Sequence, residues 1–318
     1  MGIIRLTVII PTWNRKEQLS LLLNDLFCQK IEFQYEIIVC DSYSPDGTAD
    51  FVDGLLASDS RIRIIQCKNS PAVKRNDGAM AAQGEFLLFI DDDVRVTKTN
   101  VLNELLGEIV DVGNTILSGR VRYPNSWVQR SNYYSYRNSR HVHDSCFSHT
   151  NVKPWCFVSM CSAMSKKLFF EVGGYSEDFK KYGGEDHDFE FRSRSIGVRH
   201  LFSSTLDVEH YEGFTGVENY VKKFSLSANV IPPLAKTWPQ YMSRGTRSVL
   251  KAAGSVAPFY RFGMGGFFLL LRKGLIQYLD ATDRRRFFYS VFLYRLLTFI
   301  ALVDGIVRPR DGKGFYAE

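Results

Sequence analysis

Short apolar runs alternate with helix-spaced leucines along the first third of the chain. The runs from Leu6 to Ile10 and from Phe86 to Ile90 are bulky, apolar and bounded by polar residues, which predicts strands buried on both faces. After the first run, leucines recur at the spacing of one helix face, at Leu19, Leu22, Leu23 and Leu26. Strands that alternate with short helices predict right-handed βαβ units, so we expect an α/β fold on a mostly parallel sheet.

The same patterns continue along the chain. They predict strands at 36–40, 62–65, 115–118 and 157–164, and helices at 48–56, 74–82, 101–110 and 167–172. Residues 120–155 are dense in Tyr, Arg, His, Ser and Asn, and we expect a long surface excursion there. Pro232, Pro233 and Pro239 predict a boundary between an α/β domain at 1–235 and a helical region at 236–318.

Three consecutive acids follow the strand at Phe86. Asp91, Asp92 and Asp93 cannot all stay ionised without a cation or strong donors, because like charges at contact distance raise each other's pKa. Open α/β sheets bind ligands outside the carboxyl ends of their strands. The pattern therefore favours a binding site for a divalent metal and a nucleotide phosphate over a solvated acidic turn or a helix cap.

The net charge of +6 is unevenly distributed. Residues 244–313 hold 13 lysines and arginines against four aspartates, whereas residues 1–243 hold 27 basic and 29 acidic side chains. The basic character therefore belongs to the C-terminal region. Its large apolar content argues against nucleic acid as a partner.

The distribution of the cysteines favours a reducing, cytoplasmic compartment. All six, Cys28, Cys40, Cys67, Cys146, Cys156 and Cys161, are scattered, and several lie in apolar stretches where thiols behave as small hydrophobes. The first residues run straight into a strand and do not form a signal peptide. We expect free thiols and a cytoplasmic protein.

Five segments, taken together, resemble the family 2 glycosyltransferases of the GT-A fold. The likeness covers roughly residues 5–215 and is carried by 8–15, 38–42, 73–78 with 84–85, 89–93, and 183–189 with Arg192. Each motif alone is weak, but their order and spacing together are specific. The resemblance implies a Rossmann-like catalytic domain at 1–235, with a donor-binding half at about 1–120, an acceptor half at about 120–235 and a C-terminal helical appendage.

The resemblance also implies a nucleotide-sugar site. In the family, the end of the first strand meets the nucleotide, here at Pro11, Thr12, Asn14 and Arg15. Asp41 matches an acid that accepts a hydrogen bond from the base; the alternative, a helix cap, is a task that Asp46 already serves. Arg75 matches a residue that the family places near the diphosphate, and the planar fork of guanidinium donors suits phosphate oxygens. The alternative for Arg75 is a surface arginine on an exposed helix face. Lys74 is a weaker candidate.

The acids have distinct implied roles. Asp91 would face the ribose or a water on the metal, and Asp93 would bind Mn2+ or Mg2+ directly. Asp92 belongs to the nucleotide-sugar site, but as the variable middle residue its side chain is expected to point away. His210 matches a histidine that often completes the metal site, and its alternative is a buried hydrogen-bonding role.

Asp186 is implied as the catalytic base of an inverting, single-displacement transfer. A sugar hydroxyl is a poor nucleophile and needs a positioned base. Glu185 and Asp188 would orient the loop or contact sugar hydroxyls, and Asp188 could instead cap its helix.

Aromatic residues in the excursion are candidates for stacking on an acceptor sugar. They are Trp127, Tyr133, Tyr134, Tyr136 and Trp155. A zinc site at His141, His143, Cys146 and His149 is an alternative for this segment, but the spacing fits no standard ligand set.

Two apolar stretches in the C-terminal region, at 262–271 and 287–307, are interrupted by arginines. The first is too short to span a bilayer, and Arg295 and Asp304 make a lipid-facing span of the second costly. Peripheral binding to an anionic membrane surface, or packing within the protein or an oligomer, are the two leading interpretations.

The leading hypothesis is a metal-dependent, inverting transfer from a nucleotide-diphosphate sugar, with a UDP-sugar favoured. The acceptor would be a hydroxyl of a glycan or lipid-linked glycan, at the cytoplasmic face of the membrane. A polyprenyl-phosphate sugar transferase, which needs no base, and an inactive glycan- or membrane-binding scaffold are the alternatives.

Overall fold

The computed structural model describes residues 3–141, 151–157, 159–179, 183–213, 216–261 and 265–308. Its strands are β1 (Ile4–Thr12), β2 (Gln34–Asp41), β3 (Ile62–Gln66), β4 (Phe86–Ile90), β5 (Val94–Arg95), β6 (Thr115–Arg122), β7 (Cys161–Ser165) and β8 (Arg199–His210). The helices that surround the sheet are α1 (Lys16–Phe27), α2 (Thr48–Leu56), α3 (Pro71–Ala81), α4 (Val101–Val112), α5 (Asn125–Arg130), α6 (Asn132–His141) and α7 (Lys166–Val172). The later helices are α8 (Glu185–Ser195), α9 (Val217–Ser227), α10 (Ile231–Thr237), α11 (Arg244–Arg261), α12 (Gly265–Thr282) and α13 (Val291–Val307).

The strands form one mixed sheet in the order β3-β2-β1-β4-β7-β6-β8-β5. Strands β3, β2, β1 and β4 run parallel, β7 runs against both of its neighbours, and β6 and β8 are again parallel. The predicted α/β fold with a mostly parallel sheet is therefore confirmed.

The strand order reverses beside β1. The chain passes from β1 to β2 and β3 on one side and then returns to β4 on the other side. The carboxyl ends of these strands meet at one edge, where Thr12 pairs with Asp41 and the three acids follow Ile90. This is the crevice in which α/β sheets bind ligands.

Both faces of the sheet are covered. Successive residues of β1 point to opposite faces, so Val8 packs in a cluster with Leu19 of α1, while Ile9 packs in a cluster with Phe169 of α7. A third cluster lies beyond the sheet and joins α6 and α9 to α12 and α13. Burial on both faces explains why the strands read as continuous apolar runs.

Residues 120–155 differ from the prediction. Strand β6 extends to Arg122, and α5 and α6 follow it, so the expected surface excursion is wrong for residues up to 140. Tyr133, Tyr134 and Tyr136 are buried in the third cluster because the C-terminal helices cover them. The zinc alternative falls on the side chains of 141–149, outside the described residues.

Helix α13 packs against the α/β part of the molecule. Tyr294 stacks on Tyr136 with ring centroids 4.7 Å apart, and Ser225 Oγ of α9 donates to the carbonyl of Ala301 at 3.1 Å. Asp304 is buried and accepts from Arg272 of α12 at 2.7 Å. Among the described residues, no helix is long and apolar enough to cross a membrane.

A close approach of α13 to α9 gives a test of this packing. A Cβ on Gly305 would lie 2.1 Å from the carbonyl oxygen of Ser225 and 2.8 Å from the Cβ of Ala228. We expect Gly305→Val to lower the free energy of unfolding by about 1–3 kcal/mol in chemical denaturation, because the helices must move apart. Gly274→Ala on exposed α12 is the control, and should raise stability slightly because nothing lies within 4 Å of its added Cβ. Equal stability of Gly305→Val and the wild type would show that α13 does not dock on α9.

Candidate functional site

Two of the three acids after β4 share one arginine. Arg15 Nη1 donates to Asp92 Oδ1 at 2.9 Å and to Asp93 Oδ2 at 2.6 Å. Thr12 Oγ1 donates to the other oxygen of Asp92 at 2.7 Å, and His210 Nε2 lies 3.3 Å from Asp93 Oδ2. The carboxylate of Asp92 is buried between the end of β1 and Arg15, and its expected orientation away from a bound ligand stays a prediction.

The electrostatics of this cluster follow from burial and pairing. Burial, together with the neighbouring acids, raises the pKa of Asp92 to about 7 despite Arg15. Burial would also raise the pKa of Asp93, but His210 and Arg15 outweigh it and hold that pKa well below its usual range. Of these two buried acids, Asp93 is therefore the one whose charged form the surroundings favour.

Two buried polar atoms at this edge lack a hydrogen-bond partner. Asp93 Oδ1 is buried and has no hydrogen-bond partner, which leaves an anionic oxygen without a donor. His210 Nδ1 is likewise buried without a hydrogen-bond partner. Within the described part of the chain, however, no three His, Cys, Asp or Glu side chains cluster closely enough to hold a metal ion. The protein donors offered here are therefore few, and a bound cation would need ligands from elsewhere, such as phosphate oxygens.

Strand β8 brings His210 to this place. The two-residue strand β5 follows the acids directly and pairs Val94 with His210, and Tyr211 N donates to the carbonyl of Asp93 at 2.7 Å. The ring of Tyr123 lies 5.4 Å from that of His210. Although Asp93 and His210 lie far apart in sequence, this pairing sets them side by side.

Asp91 has a different partner from its neighbours. Arg75 Nη2 of α3 donates to Asp91 Oδ1 at 2.8 Å, and Arg75 Nη1 lies 3.9 Å from Glu185 Oε1 of α8. Arg75 is buried, so the alternative of a surface arginine is wrong. Its guanidinium links the acids after β4 to the helix that carries Asp186.

Lys74 of the same helix is also buried. Its Nζ donates to the carbonyl of Thr12 at 2.8 Å and to Asn69 Oδ1 at 3.3 Å. Burial lowers its pKa to about 8 despite the nearby carboxylates of Asp92 and Asp41. A cation held in this way adds positive charge beneath the end of β1.

The start of α8 carries the candidate base. Gly183 and Gly184 precede it with φ of 79° and 107°, which a side chain would strain, and a Cβ on Gly184 would lie 2.7 Å from Phe179. Asp186 Oδ1 accepts from the backbone N–H of His187 at 2.8 Å. Burial and the adjacent Asp186 raise the pKa of Glu185 to about 7, against the effect of Arg75.

Packing of aromatic residues fixes α8 relative to α3. Asn76 Nδ2 donates to the carbonyl of Tyr175 at 2.8 Å, and Tyr175 N donates back to Asn76 Oδ1 at 2.9 Å. The Tyr175 ring then stacks on Phe189 of α8, with centroids 4.6 Å apart, and lies 5.6 Å from the Arg75 guanidinium. Sequence reasoning did not assign Tyr175 to the site, although the paired glycines just before it, with φ of 90° and 64°, mark a tight turn.

Asp188 and Trp155 support α8 through their own bonds. Asp188 accepts from Arg192 at 2.7 Å one turn later, which agrees with an orienting role. Trp155 Nε1 donates to the carbonyl of Tyr241 at 3.0 Å, and its ring lies 4.5 Å from that of His187. Trp155 thus lies beside the first turn of α8.

The other candidate acceptor aromatics lie elsewhere. Tyr133, Tyr134 and Tyr136 are buried, so the expectation that their faces bind an acceptor is wrong. Trp127 is half-buried and packs against Tyr134 and Tyr211.

The end of β2 forms a tight polar turn. Asp41 is buried, and its carboxylate accepts from both the N–H (3.0 Å) and the hydroxyl of Ser44. Asn14 N in turn donates to Ser44 Oγ at 2.7 Å, with Asn14 in the left-handed region at φ 54°. Asp46 accepts from the N–H groups of Thr48 and Lys16, at 3.1 and 2.9 Å. Asp46 therefore caps the first turn of α2, as predicted, and also the first turn of α1. Asp41 does not cap a helix; it closes the turn at the end of β2.

Comparison with known proteins adds family relationships to this geometry. The family model described as Glycosyl transferase family 2 matches residues 7–173, and one described as N-terminal domain of galactosyltransferase matches residues 140–218. The GalNAc(5)-diNAcBac-PP-undecaprenol beta-1,3-glucosyltransferase of Campylobacter jejuni is 37% identical over 92 residues, 28% of this chain and 29% of that protein. The chondroitin synthase of Escherichia coli is 26% identical over 229 residues, 59% of this chain and 32% of that protein. The chain spans less than half the length of these curated relatives.

Solved structures share the fold. The mannosyltransferase PcManGT from Pyrobaculum calidifontis, in complex with GDP-Man and Mn2+, aligns with a TM-score of 0.59 and 16% identity over 94% of this chain and 86% of that one. TarS 1–349 of Staphylococcus aureus, in complex with UDP-GlcNAc, aligns with a TM-score of 0.51 and 22% identity over 72% and 66% of the two chains. These likenesses confirm the GT-A-like architecture. Because the first family model spans more than half of the chain, the protein belongs to glycosyl transferase family 2.

Proposed function

We propose that the protein is an inverting transferase that moves a sugar from a nucleotide diphosphate, with UDP favoured, to a hydroxyl of a glycan or lipid-linked glycan. One observation carries the proposal. Arg75 contacts Asp91 at the donor crevice and lies 3.9 Å from Glu185, the residue before Asp186. The helix that begins at Glu185 and carries Asp186, the proposed base, therefore meets the proposed diphosphate site at one buried guanidinium.

The donor would bind along the carboxyl edge of β1, β2 and β4. Asp41 would accept the N–H of the base, while the end of β1, from Pro11 to Arg15, would line the crevice. Arg15 is about half-exposed and already spans two carboxylates, so its remaining donors can face a diphosphate. Lys74 adds charge from below.

Asp186 would act on the acceptor. The acceptor oxygen forms a bond to the anomeric carbon as the bond from that carbon to the diphosphate oxygen breaks. The proton of the hydroxyl passes to the Asp186 carboxylate, and the nucleotide diphosphate leaves with the bonding electrons. Glu185 and Asp188 would hold the loop and helix through Arg75 and Arg192.

A divalent cation, Mn2+ or Mg2+, would be held by Asp93 and His210, with Asp91 nearby, and would offset the charge of the diphosphate. The unpartnered Asp93 Oδ1 supports this assignment. Two structural neighbours were solved with Mn2+.

The setting proposed is cell-surface glycan synthesis at the cytoplasmic face of a membrane, with the protein bound peripherally through its C-terminal region. The relatives include enzymes named for an undecaprenol-linked glycan, O-antigen biosynthesis and poly(ribitol-phosphate). Assembly into a homo-oligomer stays a prediction.

Replacement of the base should separate turnover from donor binding. We expect Asp186→Asn to lower the rate of UDP release from UDP-GlcNAc, with and without acceptor glycan, by about 100-fold or more, because the proton acceptor is lost. The affinity for UDP, measured by calorimetry with Mn2+, should stay within about twofold.

Glu185→Gln is the matched neighbour and should lose much less turnover. Loss of UDP binding in Asp186→Asn would refute the base role. Full activity in Asp186→Asn would instead favour a polyprenyl phosphate acceptor, and no turnover of any nucleotide sugar by the wild type would favour an inactive scaffold.

The proposed cation can be tested through the affinity for UDP, without any measurement of turnover. We expect Mn2+ to lower the dissociation constant for UDP in the wild type. In Asp93→Asn or His210→Gln, the factor by which Mn2+ lowers it should be at least about tenfold smaller. Asp207→Asn, on the same strand as His210 but paired with Arg122, is the control and should keep it. Identical UDP affinity in Mn2+ and in EDTA would contradict the metal assignment.

A further inference from the structure

Helix α12 exposes an apolar stripe along most of its length. Phe267, Leu270, Leu271 and Tyr278 follow the i, i+3, i+4, i+11 spacing of one helix face, with Gly274 between them, and all are exposed. At 1.5 Å per residue the stripe is about 16 Å long. Leu270 keeps 70% of its accessible surface.

The stripe is not needed for packing, because α12 has a second apolar face. Leu279 is buried in the third cluster, and Leu275 and Ile276 pack against it. A surface helix of a globular protein normally turns a polar face outward. A helix that is apolar on both faces has an outer face suited to an apolar neighbour.

The stripe continues past the end of α12. Tyr278 lies 6.5 Å from the ring of Phe288, which lies 5.3 Å from that of Phe287. Phe287 keeps 92% of its surface exposed. The six residues Phe267, Leu270, Leu271, Tyr278, Phe287 and Phe288 are called the aromatic ridge below.

Basic side chains border the aromatic ridge. Lys273, Arg284, Arg285 and Arg295 are exposed, and no ion pair to them is found within the described ranges. The nearby acids are turned inward: Asp283 is buried and accepts from Ser131 Oγ at 2.9 Å, and Asp304 is buried against Arg272. Asp280 accepts from the N–H of Val217 at 2.9 Å but is exposed, so it is an acid that lies among these basic residues. With four exposed basic side chains against one exposed acid, the border carries an excess of positive charge.

We propose that the aromatic ridge docks on an anionic lipid surface, with the ridge in the headgroup–acyl boundary and the arginines on the lipid phosphates. Aromatic and aliphatic side chains flanked by Lys and Arg are the chemistry of interfacial helices. A second copy of the chain fits less well, because a two-fold interface sets the same patch against itself and would bring like charges together. The purpose of such docking would be to bring the site to a lipid-linked acceptor, and that purpose rests on the proposed function. The docking itself is tested without it.

Co-sedimentation with vesicles tests the docking directly. The full chain should sediment with vesicles of phosphatidylglycerol and phosphatidylcholine in equal parts, and much less with phosphatidylcholine alone. Raising NaCl from about 0.1 M to about 0.5 M should weaken the binding. We expect Leu270→Ser/Phe287→Ser, and separately Arg284→Gln/Arg285→Gln, to weaken it by about tenfold or more.

Matched controls remove similar residues elsewhere. Met80→Ser/Ile196→Ser removes two exposed apolar side chains, and Lys98→Gln/Lys167→Gln removes two exposed charges; both should bind as the wild type does. The thermal unfolding midpoint of Leu270→Ser/Phe287→Ser should equal that of the wild type, which shows that its fold is intact without any use of the proposed activity.

Two results would overturn the inference. One is wild-type binding that is absent or indifferent to lipid charge. The other is a wild-type dimer in light scattering that Leu270→Ser/Phe287→Ser dissociates, which would make the aromatic ridge a self-association surface.

Discussion

Three adjacent carboxylates at the end of one buried strand impose the constraint on which the rest of the site depends. Each has partners that offset its charge: Asp91 pairs with Arg75, Asp92 with Thr12 and Arg15, and Asp93 with the same Arg15 and with His210. These partners come from four different elements or their ends. Because unpaired acids could not stay ionised together, the fold must bring β1, α3 and β8 to this edge.

The position of α8 depends on packing more than on charge. Helix α8 reaches the crevice because Tyr175, held by Asn76, stacks on Phe189 and lies against Arg75. Arg75 is therefore braced by an aromatic ring on one side and two carboxylates on the other. A change in this packing would shift Asp186, the proposed base, relative to the acids after β4, and misplacement of a catalytic group by about 1 Å can cost about 100-fold in rate.

Local patterns predicted the first half of the molecule well. Helix α2 and strand β4 begin and end where the sequence placed them, because turn chemistry and apolar runs bound them on both sides. Strand β8 escaped prediction because polar residues such as Ser203 and Ser204 interrupt it and bond to Glu108 instead. The pairing of Asp92 with Arg15 was equally out of reach, since it depends on how two loops meet and not on either loop alone.

The shared third cluster ties the far end of the chain to the crevice. Tyr123, whose ring faces His210, belongs to the same cluster as Tyr294 and Leu297 of α13. The C-terminal helices thus pack as part of the same hydrophobic core that supports Tyr123. A C-terminal region taken from a related protein with different residues at these positions would pack less well against Tyr123 and so against His210. The C-terminal helices and the α/β part are therefore expected to evolve together.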